Sequence, residues 1–263
     1  MNKAAEILAG SRKVVLKIGS NVLAGADGVL DKEQVRSVAG QALELIDVGK
    51  RVILVSSGAG VSGAAKVGRL NRKDDINYKQ ALCAVGQVEL MMEYKKRFSA
   101  GGKAVGQLLL TTENFHDDQS TLNIRNTLFT LLDEDVVPII NENDSVSTSE
   151  FSFGDNDNLA ALTANLWNAD LLIIMSDVDG VFGSNPKDNP GASLIEEVND
   201  VDSLGSQIVT AGVSVFGTGG MDSKLEAAKT VGQYGIPMLL VNGRREDVLK
   251  DVADGGVCTV FTA

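Results

Sequence analysis

The chain is poor in the residues on which several kinds of chemistry depend: among 263 residues there are one histidine, two cysteines, four prolines and one tryptophan. A zinc site with four ligands could not be assembled without several carboxylates, and His116 is the only histidine that could serve as a catalytic base. That residue lies in the polar run NFHDDQS with no serine nucleophile signature beside it, which favours a solvated loop position. Cys83 sits in an Ala/Leu/Val-rich helical stretch and Cys258 in an apolar strand-like one, so the pair reads as buried thiols and not as a disulfide. Apolar runs do not exceed strand length, and the N-terminal MNKAAEILAGSRK lacks the apolar segment and cleavage site of a signal peptide. A cytoplasmic location is expected. Positive charge is also in short supply, with a formal net charge of −11, which argues against nucleic acid and anionic membranes as partners. Any anionic substrate must therefore be met by cations gathered locally.

Glycine, by contrast, is abundant at 28 residues, without low-complexity repetition, and 44% of the chain is hydrophobic, ample for a packed core. The richest glycine run is FGTGGMDSK, from Phe216 to Lys224, entering a helix-like stretch that ends at Gly235. Gly217, Gly219 and Gly220 let backbone N–H groups approach a polyanion, the helix adds its positive end, and Lys224 adds a full charge. This is not a Walker A loop, since Lys224 follows Ser223 and precedes Leu225. A flexible surface turn with a solvated lysine is the plainer alternative.

Apolar strands alternate with helical patterns, and polar residues collect at the strands' carboxyl ends, where open α/β sheets bind ligands. Lys13–Ile18 is the first strand, with Lys17 near its end; a lysine on the solvent face is the simpler reading. Asp31 opens a helix with Gln34 completing a capping-box-like pair, and Gly49 stops it. Arg51–Ser56 is a strand followed by Ser57-Gly58-Ala59-Gly60-Val61-Ser62-Gly63, a literal G-x-G-x-x-G. A nicotinamide or flavin enzyme would need an acidic residue ending a second strand about 20 residues later. That region reads NRKDDINYK, without a strand pattern, so the glycines suit a small anion instead, beside the Ser57 hydroxyl.

Tyr78–Phe98 is expected as a helix with Ala81, Val85, Val88 and Met92 on its apolar face. Strands are expected at Lys103–Leu110, Val136–Ile140, Leu171–Met175, Ile236–Val241 and Val257–Phe261, with helices at Leu122–Leu132 and Leu159–Trp167. Pro138 should limit pairing on one side of its strand. A hairpin is expected over Ser145–Phe153, and a second in the irregular Val181–Val201. Asn141-Glu142-Asn143-Asp144 and Gly154-Asp155-Asn156-Asp157-Asn158 supply more polar side chains than one helix cap requires, though capping alone would explain Asp157. Ser176-Asp177-Val178-Asp179-Gly180 ends another strand, where Asp177 could face a ribose or cap the turn.

In that order Lys17-Ile18-Gly19-Ser20, Ser57-Gly58-Ala59, NEND, GDNDNLAA, SDVDG and GTGGM with Lys224 resemble the amino acid kinase family, from about Lys13 to Ala263. NEND, GDND and GTGGM together resemble most the members that phosphorylate the side-chain carboxylate of L-glutamate at the start of proline biosynthesis. The resemblance implies a three-layer α/β/α sandwich with a mainly parallel sheet, one domain over residues 1–263, the amino acid held by the N-terminal half and ATP by the C-terminal half. It places Ser57, Asp144 and Asn156 on the amino acid, and Ser176, Asp177, Thr218, Gly219, Gly220, Met221, Asp222, Ser223 and Lys224 on ATP. Lys17 and Lys224 match the lysines on the transferring phosphoryl group, and Asp157 the aspartate that holds both. Mg²⁺ bound with ATP, no metal held by the protein itself, feedback inhibition by proline and homo-oligomers are further implications.

Two departures from the family pattern stand out, Asp222 where a neutral residue is usual and Ser176 in place of threonine. No C-terminal domain resembling RNA-modification modules is expected. Rival functions are a nicotinamide oxidoreductase, an acetylglutamate kinase-like enzyme and a non-catalytic amino-acid sensor. A glutamate side chain, which ordinarily titrates at about pH 4.3, is already an anion at neutral pH and needs no general base to attack a phosphate, which suits so histidine-poor a chain.

Overall fold

The computed structural model describes residues 2–67, 75–147, 155–184, 189, 191–204 and 220–262. Strands β1 (Lys13–Ile18), β2 (Arg51–Ser56), β3 (Ala104–Leu110), β4 (Val136–Glu142), β5 (Leu171–Ser176), β8 (Glu197–Val198), β9 (Met238–Asn242) and β10 (Thr259–Phe261) form a sheet in the order β3-β4-β2-β1-β5-β9-β10-β8. All neighbours are parallel except β9 and β10. Strands β6 (Val181–Phe182) and β7 (Leu194–Ile195) pair separately and antiparallel, the second of the two expected hairpins. The first lies largely outside the described residues.

Helices cover both faces, which is why the central strands are apolar without alternation. In β1, Val14, Leu16 and Ile18 face one core with α3 (Lys32–Asp47) and α5 (Ile76–Ala100), while Val15 faces the other with α6 (Asp118–Asp133), α7 (Asp155–Trp167) and α8 (Met221–Gly232). Each fully buried Leu or Ile contributes about 1.5–3 kcal/mol. The shorter helices α1 (Lys3–Gly10), α2 (Ser20–Leu23), α4 (Ala59–Val67) and α9 (Val248–Ala253) complete the three-layer sandwich. Pro138 lies in the interior strand β4, where it pairs with Gly106 of β3, while the pairing with β2 is confined to Ile139 and Ile140. The proline lacks the N–H that a second ladder would use.

The two helices after β2 explain the last of the fingerprint-like glycines, Gly63. A Cβ on Gly63 of α4 would stand 1.9 Å from the Leu82 carbonyl oxygen, and one on Gly86 of α5 1.8 Å from that of Ala59. These glycines are where two helix backbones meet, a packing duty that involves no dinucleotide. No strand follows α4 before α5 among the described residues, as the oxidoreductase reading would require.

Several local expectations change. The buried stripe of α5 is Leu82, Cys83, Gly86, Gln87, Leu90, Tyr94 and Phe98; of the residues expected on its apolar face, Ala81 is exposed, and Val85, Val88 and Met92 are 42%, 61% and 47% exposed. Four residues of 3.6-period spacing can be drawn on more than one face of a helix this apolar, and the aromatics choose the buried one. Asp31 caps α3 by accepting from the Glu33 and Gln34 amides, but the Gln34 side chain crosses to the Gly243 carbonyl and forms no reciprocal box. Helix α7 starts at Asp155 and not near Leu159, so Asn156 and Asp157 lie within its first turn.

Candidate active site

Helix α7 follows β4 and precedes β5, packing across β4, β2, β1 and β5, so its first turn lies over the carboxyl ends of the central strands. Successive helical residues point about 100° apart. Asn156 and Asp157 consequently serve two adjacent groups of side chains, one neutral and one charged.

The charged group has Asp157 at its centre, 1% exposed. Its Oδ1 is 2.6 Å from Lys17 Nζ on β1, and its Oδ2 is 3.3 Å from Lys224 Nζ on α8. Ser223 donates its hydroxyl to the same Oδ2 at 2.7 Å. Lys224 also donates to the Gly220 carbonyl oxygen at 2.6 Å. Lys17 is 6% and Lys224 8% exposed, so the solvated-lysine readings fail at both positions, and Asp157 is no mere cap. Burial alone would raise the carboxyl pKa; the ammonium groups of Lys17 and Lys224 outweigh it, with hydrogen bonds from Lys17 and Ser223, and bring it down to about 2. Burial lowers the Lys224 pKa, opposed by Asp157 and reinforced by Lys17, with Asp177 a weaker stabiliser of the charge. Two buried cations on one carboxylate leave an excess of positive charge where a polyanion can complete the balance.

The neutral group links four elements. Asn156 Nδ2 donates to Ser57 Oγ and to Asn141 Oδ1, each at 3.0 Å, and Asn156 Oδ1 accepts from the Glu142 amide at 3.3 Å. Ser57 follows β2, and Gly58 beside it has φ +109°, a backbone state that glycine adopts readily. Asp144, past the end of β4, is 5% exposed and hydrogen-bonded by the Cys83 thiol. It lines a cavity of ≈ 210 Å³ with Glu142, Gln87, Gln107 and Leu109. Burial pushes the Cys83 pKa up to about 12, aided by Asp144, so this thiol is not a nucleophile at neutral pH. Both cysteines are buried and unbridged, as expected.

On the other flank, Ser176 ends β5 and is buried, and its hydroxyl donates to Asp177 Oδ1 at 3.3 Å. Asp177 is exposed and accepts from Asn21 Nδ2 at 3.0 Å. Arg244 in turn donates to the carbonyls of Asn21 and Ala24, bracing this rim. Met221 leans on the core, Asp222 is exposed in the first turn of α8, and Thr218 and Gly219 lie outside the described residues. His116 is exposed after a short 3₁₀ turn.

Asn141 and Gln87 were given no individual role by the sequence. Asn141 directly follows the buried VVPII run, and Gln87 interrupts the buried stripe of α5; a polar side chain on an otherwise apolar face was the available signal.

The amino acid kinase family matches residues 12–242. The chain belongs to the amino acid kinase family. It is 50% identical over 259 residues to the glutamate 5-kinase of Alkaliphilus metalliredigens, covering 98% of each chain. It is 44% identical to that of Syntrophotalea carbinolica, covering 95% of this chain and 67% of the relative. Solved structures share the fold at lower identity. Carbamate kinase from Giardia lamblia bound to AMP-PNP superposes with a TM-score of 0.66 at 17% identity, covering 97% of this chain and 99% of that one. UMP kinase from Bacillus anthracis gives 0.64 at 19%, covering 96% of each. Among the described residues, no helix is long and apolar enough to cross a membrane.

Proposed function

We propose that the chain is a glutamate 5-kinase, transferring the γ-phosphoryl group of ATP to the side-chain carboxylate of L-glutamate. The observation that carries this reading is the pair of neighbours on α7: Asp157 holds two buried ammonium groups, and Asn156 turns to Ser57 in the neutral group beside them. The relatives named glutamate 5-kinase, at up to 50% identity over nearly the whole chain, support the choice of acceptor. A non-catalytic sensor would have no use for two buried ammonium groups trained on one carboxylate.

In this reading Ser57, Asn156 and Asp144 hold glutamate, Asp144 receiving its ammonium group. Ser176, Asp177 and the segment from Thr218 to Lys224 hold ATP. A glutamate carboxylate oxygen, already ionised, attacks the γ-phosphorus; the new O–P bond forms as the bond to the β–γ bridging oxygen breaks, and the electron pair leaves with ADP. Lys17 and Lys224 face the charge on the transferred group, and Asp157 keeps them from separating before ATP arrives. Mg²⁺ would accompany the nucleotide and supply further positive charge at the phosphates. The chain's own contribution at the phosphates is the pair of lysines, Lys17 and Lys224. A cytoplasmic enzyme inhibited by proline and assembled as a homo-oligomer completes the proposal, and the exposed Val85, Val88 and Met92 of α5 offer apolar surface for assembly.

An ATP-dependent hydroxamate assay with glutamate, acetylglutamate and aspartate tests the acceptor. Glutamate should be turned over well and the other two poorly; efficient turnover of acetylglutamate would overturn the assignment.

A further inference from the structure

We infer that Gln87, on the buried face of α5, is a positioning residue: its amide oxygen braces Asn141 in the orientation that the Glu142 backbone N–H sets, and through Asn141 it holds Asn156 against the Ser57 hydroxyl. This rests on the glutamate reading above. The relay can be followed atom by atom. Gln87 Oε1 accepts from Asn141 Nδ2 at 2.8 Å. The Glu142 backbone N–H decides which way round the Asn141 amide sits, and the Gln87 contact holds it there. Its Oδ1 therefore faces the Glu142 amide at 2.9 Å and Asn156 Nδ2 at 3.0 Å. Asn156 Nδ2, so anchored, presents its second N–H to Ser57 Oγ at 3.0 Å.

The consequence falls on one proton. Because Ser57 Oγ accepts from Asn156, its own hydrogen is directed away from that amide and is available as a donor to a substrate carboxylate. If both amides turned over, Asn156 would offer Oδ1 to Ser57 and draw the hydroxyl hydrogen inward. The reversed state would also set amide NH₂ groups of Asn141 and Asn156 against the Glu142 N–H, a clash of donors. Gln87 supplies the acceptor at one end and the Glu142 amide the donor at the other. Every member is buried: Gln87 8%, Asn141 1%, Asn156 3% and Ser57 6% exposed, so water competes poorly for these bonds. The remaining Gln87 donor, Nε2, is buried without a hydrogen-bond partner among the described residues, so the bond to Asn141 is what keeps the Gln87 side chain on this network.

Gln87→Met keeps the volume and removes the acceptor. We expect it to raise KM for glutamate about tenfold, the effect of one misdirected buried hydrogen bond, with kcat and KM for ATP within about twofold of the parent. The discriminating arm repeats the change in a Ser57→Ala background. There is no hydroxyl left to direct, so Gln87→Met should then move KM less than about twofold, the non-additivity expected of residues in one network. Gln87→Leu likewise removes the acceptor and carries the test if the methionine variant does not fold. A KM unchanged in these variants, or an equal rise in both backgrounds, overturns the inference. Parent enzyme that fails to use glutamate at all would instead overturn the acceptor assignment, so the two failures are told apart.

Discussion

Two polar clusters share the first turn of one helix and are built on opposite principles. Around Asp157 the groups are fully charged, come from β1, α7 and α8, and hold more cation than anion. Around Asn156 the partners are side-chain amides from α5 and β4 and the Ser57 hydroxyl just past β2, each neutral. Charge is placed where charge must move, since the transferring phosphoryl group changes its distribution of negative charge during the reaction. Neutral dipoles are placed where an acceptor has only to be recognised and aligned. The difference predicts that damage to the first cluster appears in kcat and damage to the second in KM for glutamate.

The largest effect should come from the lysines. Lys17→Met or Lys224→Met should each lower kcat by about 10³, with KM for glutamate changed only a few-fold, because each removes a charge facing the transferred group. Steady-state kinetics with both substrates varied checks this; a loss confined to KM for glutamate would merge the two clusters into one binding site. Ser57→Ala comes next on the neutral side. It should raise KM for glutamate about tenfold while kcat holds within a few-fold, and a fall in kcat without a rise in KM would move Ser57 out of the acceptor group.

How much of this contrast could be read from the chain differs between the clusters. Lys17 was singled out by its place near a strand end, Lys224 by the glycine-rich turn and Asp157 by the polar run GDND, each together with the family resemblance, and the structure brings all three together. The strands β1 and β2 begin and end where their apolar runs do. The neutral cluster was only half legible. Asn156 and Ser57 were named, but Gln87 and Asn141 pair across 54 residues, a long-range match that local periodicity does not encode. The misplaced face of α5 has the same origin, because the helix is apolar on more than one side and only its packing against α3 and α4 selects the buried one. The short α1, α9 and β8 escaped notice because elements of a few residues carry too little pattern.

Asp222 should give the smallest effect. It is exposed in the first turn of α8, where a carboxylate favours the helix end while adding negative charge on the side expected to meet ATP. Screening by water limits the repulsion, so Asp222→Ala should lower KM for ATP by only about twofold and leave KM for glutamate unchanged. A raised KM for ATP would mean that Asp222 assists the nucleotide.

The most direct test is Asp157→Asn, with kcat, KM for glutamate and the unfolding midpoint measured together, the last with and without ATP. Asparagine keeps the shape and would cap a helix equally well, but it leaves the Lys17 and Lys224 ammonium groups facing each other without a counter-charge. The expected result is a fall in kcat of about 10² or more, a much smaller change in KM for glutamate, and a lowered midpoint that ATP partly restores by supplying negative charge to the lysines. A folded variant with the parent's kcat would contradict the account and reduce Asp157 to a structural residue.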